Sequence, residues 1–282
     1  FIELVQPNIL FFENVRGFTI GFKNGNKRGE AYSVYVVDKL KQLGYDVKGK
    51  IVDFSEYGIP QKRQRYILVG TKKDNAENFF DLLVQNKVTF FKSKNFEKDT
   101  VSLSDAISDL LQSHGTKESP DTKNFRAGIY AKATTSYQKL MRKDKNLTKK
   151  VASSHRFANH KKETIEKFQY ILEFGRANKN ISDEIKAKYN IKKRTVVPLC
   201  SNSPTPTLTT LPDDYIHYCE PRILTVREYA RIQSFPDSYE FKGGYTTGGD
   251  RRKSDVPRYT QIGNAIPPLF AEQAGLVLKD MI

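Results

Sequence analysis

The sequence predicts an α/β fold with a smaller, irregular second region, and three observations carry that reading. Apolar patterning near the start runs strand, helix, strand, strand. A helix with an apolar stripe closes the chain behind a Pro-Pro pair. Between about residues 71 and 210 the periodicity weakens, while Lys, Asn and Ser accumulate.

Pro7 to Phe12 is a short continuous apolar run of the kind found in a strand covered on both faces, and it ends in Glu13-Asn14-Val15. Ala31 to Leu43 places Tyr32, Val36, Leu40 and Leu43 on one helical face, with Gly44 as the stop. Val47 to Phe54, a turn at Gly58-Ile59-Pro60, and Arg65 to Gly70 supply two more strands. In the middle region only local helices stand out, at Ser104 to Leu111 and Lys161 to Phe174. Thr225-Val226-Arg227-Glu228 fits a capping box, opening a helix with Val226, Tyr229, Ala230 and Gln233 on one side. A Gly-rich loop spans Lys242 to Asp250. The last helix starts at Pro267-Pro268 and carries Phe270, Ala274, Val277, Leu278 and Met281 at helical spacing, a stripe expected to pack on a sheet.

The 282 residues, 38% of them hydrophobic, suffice for a sizeable core. No apolar run approaches the roughly 20 residues that cross a bilayer, and the first residues lack the basic start of a signal peptide. The opening at Phe1 reads as a chain that begins inside a domain. Cys200 and Cys219 are too few for a disulfide framework or a zinc site, so they are expected to be ordinary buried thiols in a reducing cytoplasm, with no metal. A net charge of +15 favours a phosphate polyanion as partner, although a lysine-rich solvated surface has the same composition.

Individual residues leave two readings open. Glu13, directly after a buried-looking strand, suits a general acid or a base-edge hydrogen-bonding group at the ligand-binding end of an open sheet, although a carboxylate ending a strand is more often a satisfied structural residue. Strand alternation sends Arg63, Arg65 and Ile67 to one face, either into a site or out to solvent. Asn264, between Gly263 and Ala265, offers an amide to a polar ligand or simply caps a helix.

In order and wording, the segments around these residues resemble the DNA cytosine-5 methyltransferase family. Phe11-Phe12-Glu13-Asn14-Val15 is similar to the family's Glu-Asn-Val motif, and Tyr57 to Arg65 to its Gln-Lys-Arg-x-Arg motif. Arg222 to Glu228 running to Gln233-Ser234-Phe235-Pro236-Asp237 resembles the segment that organises the recognition domain, and Gln261 to Pro268 the terminal motif. Weaker likenesses, Ser104 to Leu110 and Thr205-Pro206-Thr207-Leu208, resemble the flanks of the family's variable region. The resemblance implies a partial Rossmann-like, S-adenosylmethionine-dependent methyltransferase domain over 1–95 and 252–282. A smaller irregular α+β target-recognition domain, with its connections, would occupy 96–251.

It further implies that Glu13 and Arg65 are catalytic, holding the ring of a flipped cytosine, with Arg63 in support or on phosphate. Asn264 and Ala265 would close over S-adenosyl-L-methionine, and the segment from about Gly115 to Pro206 would read duplex DNA. The glycine-rich cofactor loop and the Pro-Cys-Gln nucleophile loop do not occur in this sequence, so a missing amino-terminal segment, in the same gene or as a separate subunit, is an expected partner. The expected setting is the bacterial cytoplasm and nucleoid, in a restriction-modification system. Two rivals remain. An RNA-methylating branch of the family carries a Cys-Phe-Thr element that is absent here, and a DNA-binding subunit of a split or inactive enzyme would need no catalytic residues.

Overall fold

The computed structural model describes residues 1–24, 27–143, 151–246 and 255–282. The first part contains α1 (Ile2–Val5), β1 (Ile9–Val15), the short pair β2 (Lys23–Asn24) and β3 (Lys27–Arg28), α2 (Tyr32–Gln42), β4 (Asp46–Asp53), β5 (Gln64–Thr71) and α3 (Glu77–Ser93). The middle adds α4 (Leu103–Ile107), β6 (Thr116–Glu118), β7 (Arg126–Ile129), α5 (Ser136–Met141), β8 (Val151–Arg156), α6 (Lys162–Phe174), α7 (Asp183–Lys188), β9 (Val197–Pro198) and β10 (Tyr215–Ile216). The chain closes with α8 (Val226–Ile232), α9 (Arg258–Asn264) and α10 (Pro268–Asp280).

The main sheet has the order β1-β5-β4. β5 runs antiparallel to both neighbours, so β1 and β4 point the same way with α2 crossing between them. On one face Leu10, Tyr66 and Leu68 pack with Leu40 of α2 and with Tyr45. On the other, Val52, Ile67 and Val69 join Phe79, Phe80 and Leu83 of α3. Completely buried side chains such as Ile67, Phe79 and Phe270 each contribute roughly 1.5–3 kcal/mol relative to exposure. This is the mixed α/β class that the pattern predicts, with the smaller irregular region beside it.

Several local expectations are corrected. β1 is an edge strand rather than one covered on both faces: of its residues only Leu10 is buried, and Phe12 remains 38% exposed. The neighbours in this sheet are antiparallel, so Glu13 is inside β1, opposite Ile67, and not beyond the end of a parallel strand. Of the four residues assigned to the apolar face of α2 only Leu40 is buried. Ser104 to Leu111 forms a short α-helix followed by a 3-10 turn. The stripe of α10 packs on α3 and on the 3-10 turn Phe54–Tyr57 instead of on a sheet. There the Phe270 ring lies tilted against Phe54, with centres 4.4 Å apart, and meets Tyr57 edge-on at 5.5 Å. Neither cysteine is buried, Cys219 being exposed.

The capping box forms as expected, with Thr225 Oγ1 accepting from Glu228 N and Glu228 accepting from Thr225 N. Helix α8, however, is buried on every side, because its charges are paired internally. Arg222 makes a two-pronged contact with Glu228 at 2.7 and 2.8 Å, and Arg231 grips Asp237 at 2.6 and 2.7 Å and reaches Asp109 at 3.2 Å. Arg227 donates to three backbone carbonyls, those of Ser153, Pro236 and Tyr239. Strand β8 is thereby tied to α8, and the antiparallel sheet β6-β7-β8 is set beside the main core. A second apolar cluster joins Phe168 and Ile171 of α6 to Ile181, Ile185, Val196 and Ile216. The Gly-rich loop expected at 242–250 is described only to residue 246, and the boundary at 251–252 lies outside the described residues, as do 144–150 of the variable region.

Candidate active site

Because Glu13 pairs with Ile67 and Val15 with Arg65, residues 13, 15, 65 and 67 lie on one face of the β1-β5 ladder. Glu13 and Arg65 are diagonal neighbours there, and the Arg65 Nε donates to the Glu13 carboxylate at 2.9 Å. Both side chains are partly exposed, at 19% for Glu13 and 14% for Arg65, so the pair is reachable from solvent while largely shielded. Burial lowers the Arg65 pKa, and the adjacent Glu13 carboxylate partly restores it. Arg16, just after β1, adds a contact to the Gln64 side chain at 3.3 Å.

Arg63 points the same way but is only 2% exposed. Burial, and then the neighbouring charge of Arg65, brings its pKa down to about 10, so it stays a cation at neutral pH. Its Nη2 donates to the carbonyl of Gly263 at 2.7 Å, and Gln233 Nε2 donates to the next carbonyl back, Ile262, at 3.1 Å. Arg63 thus satisfies a carbonyl that the helix leaves open at its carboxyl end, and Gln233 adds a second donor to the one that the Ala265 N–H also reaches. Gly263 packs closely there, since a Cβ would lie 3.0 Å from the Thr209 carbonyl oxygen and that segment would have to give by a few tenths of an ångström.

Asn264 is therefore the last residue of α9 and not an N-cap; Pro267 takes that place for α10. The Asn264 side chain is exposed and without a partner among the described residues, while the Ala265 N–H is bonded to Ile262. The exposed amide fits a polar ligand group, and Arg63 links the strip that carries it to the strand that carries Arg65.

Gln61 is buried beside this network. The backbone of Pro60 and Lys62 exchanges hydrogen bonds with Thr205, and Gln61 Oε1 accepts from Leu208 N at 3.0 Å. The segment Thr205 to Leu208 thus returns the chain from the variable region directly to the turn before β5. Gln61 and Gln233 both sit inside the motif segments, yet sequence periodicity gives neither a role; their complete burial is visible only in the fold. Cys200 is held near Asn178, and Cys219 beside His217 at 3.8 Å. Among the described residues no group of His, Cys, Asp and Glu could hold a metal ion, and no helix is long and apolar enough to cross a membrane.

Residues 1–279 match the profile of the C-5 cytosine-specific DNA methylases. The chain belongs to that family. The Type II methyltransferase M.DdeI of Desulfomicrobium norvegicum is 29% identical over 286 residues, a match covering 96% of this chain and 63% of the relative. M1.HphI of Haemophilus parahaemolyticus is 28% identical, over 99% of this chain and 58% of its own length. The chain spans about three fifths of the length of these curated relatives. Among solved structures, an E. coli prophage protein described as a candidate DNA modification methyltransferase superposes with a TM-score of 0.66 at 22% identity, covering 99% of this chain and 71% of its own, which shows the shared fold.

Proposed function

We propose that this chain is part of an enzyme that transfers methyl to carbon 5 of cytosine in a specific duplex DNA sequence, within a bacterial restriction-modification system. The observation that carries the proposal is the Glu13–Arg65 pair, with Arg63 fastening the Asn264 strip beside it. A carboxyl group and a guanidinium on one half-shielded face match the edge of a cytosine: Glu13 accepts from the exocyclic amine and, in its protonated form, donates to N3, and Arg65 donates to O2. Carbon 5 is a poor nucleophile until a thiolate adds to carbon 6, and Glu13 then supplies the hydrogen bond or proton at N3 as charge builds on the ring. Arg63 acts through position, holding Gly263.

S-adenosyl-L-methionine supplies the methyl group, and Asn264 and Ala265 are the residues of this chain that would line it. The domains follow the motifs, with 1–95 and 252–282 as the catalytic part and 96–251 as the recognition part. One apolar cluster nevertheless runs through both, from Ile67 through Leu103 to Ile232 and Phe270. The nucleophile is assigned to the part of the relatives outside their match to this chain, because Cys200 and Cys219 sit by Asn178 and His217. That part is also the partner proposed for the open edge of β1, around which Phe12, Val15, Ile20 and Phe22 are exposed.

The test is a radiolabelled methyl-transfer assay on duplex DNA with these 282 residues alone and joined to the remaining part of M.DdeI. Transfer by the joined protein only is expected. Turnover by the 282 residues alone would remove the assignment of the nucleophile.

A further inference from the structure

Arg156, the last residue of β8, is an arginine whose plane is fixed and whose charge has no acidic partner among the described residues. Its Cζ lies 3.9 Å from the ring centre of Phe125 and 3.9 Å from that of Tyr245. Two rings cannot share one face of a guanidinium at that distance, so they sandwich it. Tyr245 is itself clamped: its hydroxyl donates to Asp121 at 2.9 Å, and Arg258 bonds the same carboxylate at 2.6 Å while lying 4.4 Å over the ring. Arg258 thus has an acid for its charge. Arg156 makes no hydrogen bond or ion pair among the described residues. Its Nε is buried without a hydrogen-bond partner, while the residue as a whole is partly exposed.

The strand behind it is pinned. Ser154 adopts φ 62, the Ser153 carbonyl is held by Arg227, and His155 bridges Thr225 and the Leu110 carbonyl at 2.8 and 2.9 Å. Gly128 opposite has no room for a side chain, since a Cβ would lie 2.4 Å from His155 Nε2. A backbone this constrained holds one side chain in one direction.

We propose that Arg156 reads a guanine through the major groove of the target duplex. The inference rests on the proposed DNA-methylating function and adds a specificity-determining residue to it. A guanidinium with both faces covered presents only its edge, two parallel N–H groups, and guanine O6 and N7 accept that fork in one plane. Phosphate needs no fixed plane, and the surplus of lysine and arginine that sets the +15 charge supplies such contacts elsewhere.

The experiment is selection of the 282-residue chain against a pool of randomised duplex oligonucleotides, followed by sequencing and by affinities at several salt concentrations. The wild type should enrich a motif containing guanine. Arg156→Ala should lose roughly ten- to a hundredfold discrimination at one guanine and leave the other positions intact. Arg156→Lys should lose the same preference while keeping most of the overall affinity, and Phe125→Leu should weaken it in part; these two carry the test if Arg156→Ala does not fold. An unchanged motif in the folded variants overturns the inference alone. Uniform weakening of all sequences with a shallower salt dependence also overturns it, making Arg156 a phosphate contact. A wild-type chain that enriches no guanine-containing motif overturns this inference, whereas the functional reading stands or falls separately on methyl transfer by the joined protein.

Discussion

The Arg63 guanidinium and the Gly263 carbonyl meet at 2.7 Å across 200 residues of chain. This buried contact fixes the end of α9 against the strand that presents Arg65. Arg63→Met should leave the Gly263 carbonyl without a donor and destabilise the fold by about 1–3 kcal/mol. A lowered urea midpoint with an unchanged slope is expected. An unshifted midpoint would show that the contact is dispensable.

Stability should fall on mild acidification. Burial holds His155 at about 4 and His217 at about 3, both below the ordinary histidine value. The unfolded chain therefore takes up protons first. Their contribution is complete above about pH 6.5 and is lost as pH falls toward those values, by about 1.4 kcal/mol per pH unit for each histidine. Glu228 follows: burial works against its charge, but Arg222 outweighs burial and holds it at about 2, so its contribution goes as pH drops below the ordinary carboxylate range. Urea unfolding at pH 7.5 and pH 5 checks the sign; equal midpoints would contradict it.

The edge of β1 should be visible in amide exchange. Asn8 O accepts from Lys72 N, so alternation turns the N–H groups of Leu10, Phe12 and Asn14 toward β5, and those of Ile9, Phe11 and Glu13 toward the open side. In the 282-residue chain the second set should exchange faster. Joining the remaining part of M.DdeI should slow Ile9, Phe11 and Glu13. If they exchange as before in a joined protein that methylates, the segment docks elsewhere.

Much of this was legible locally. The capping box at Thr225, helix α6, and strands β4 and β5 follow from spacing and residue type, because each is decided by neighbours a few positions away. The internal burial of α8 was not legible, since Arg227, Glu228 and Arg231 look like a solvated face until Arg222, Asp109 and Asp237 are brought to them. The covering of β1 was misread for the opposite reason: an apolar run records that a strand gets covered, not by which segment. The contacts Arg63 to Gly263 and Gln61 to Leu208 join motifs that periodicity treats as unrelated.

Exchanging Glu13 for glutamine keeps a group of the same shape beside Arg65 and removes its charge. In the joined enzyme, Glu13→Gln should slow single-turnover methyl transfer by on the order of a hundredfold, the usual scale for a positioned acid or base, while gel-shift affinity changes little. An unchanged transfer rate in the folded variant would take Glu13 out of the chemistry.

Methylation at carbon 5 of cytosine is measured most directly on DNA from a host expressing these residues joined to the remaining part of M.DdeI. Bisulfite sequencing, paired with mass spectrometry of the nucleosides, should find 5-methylcytosine confined to one sequence motif. Methyl groups found only on adenine N6 or cytosine N4 would contradict the account.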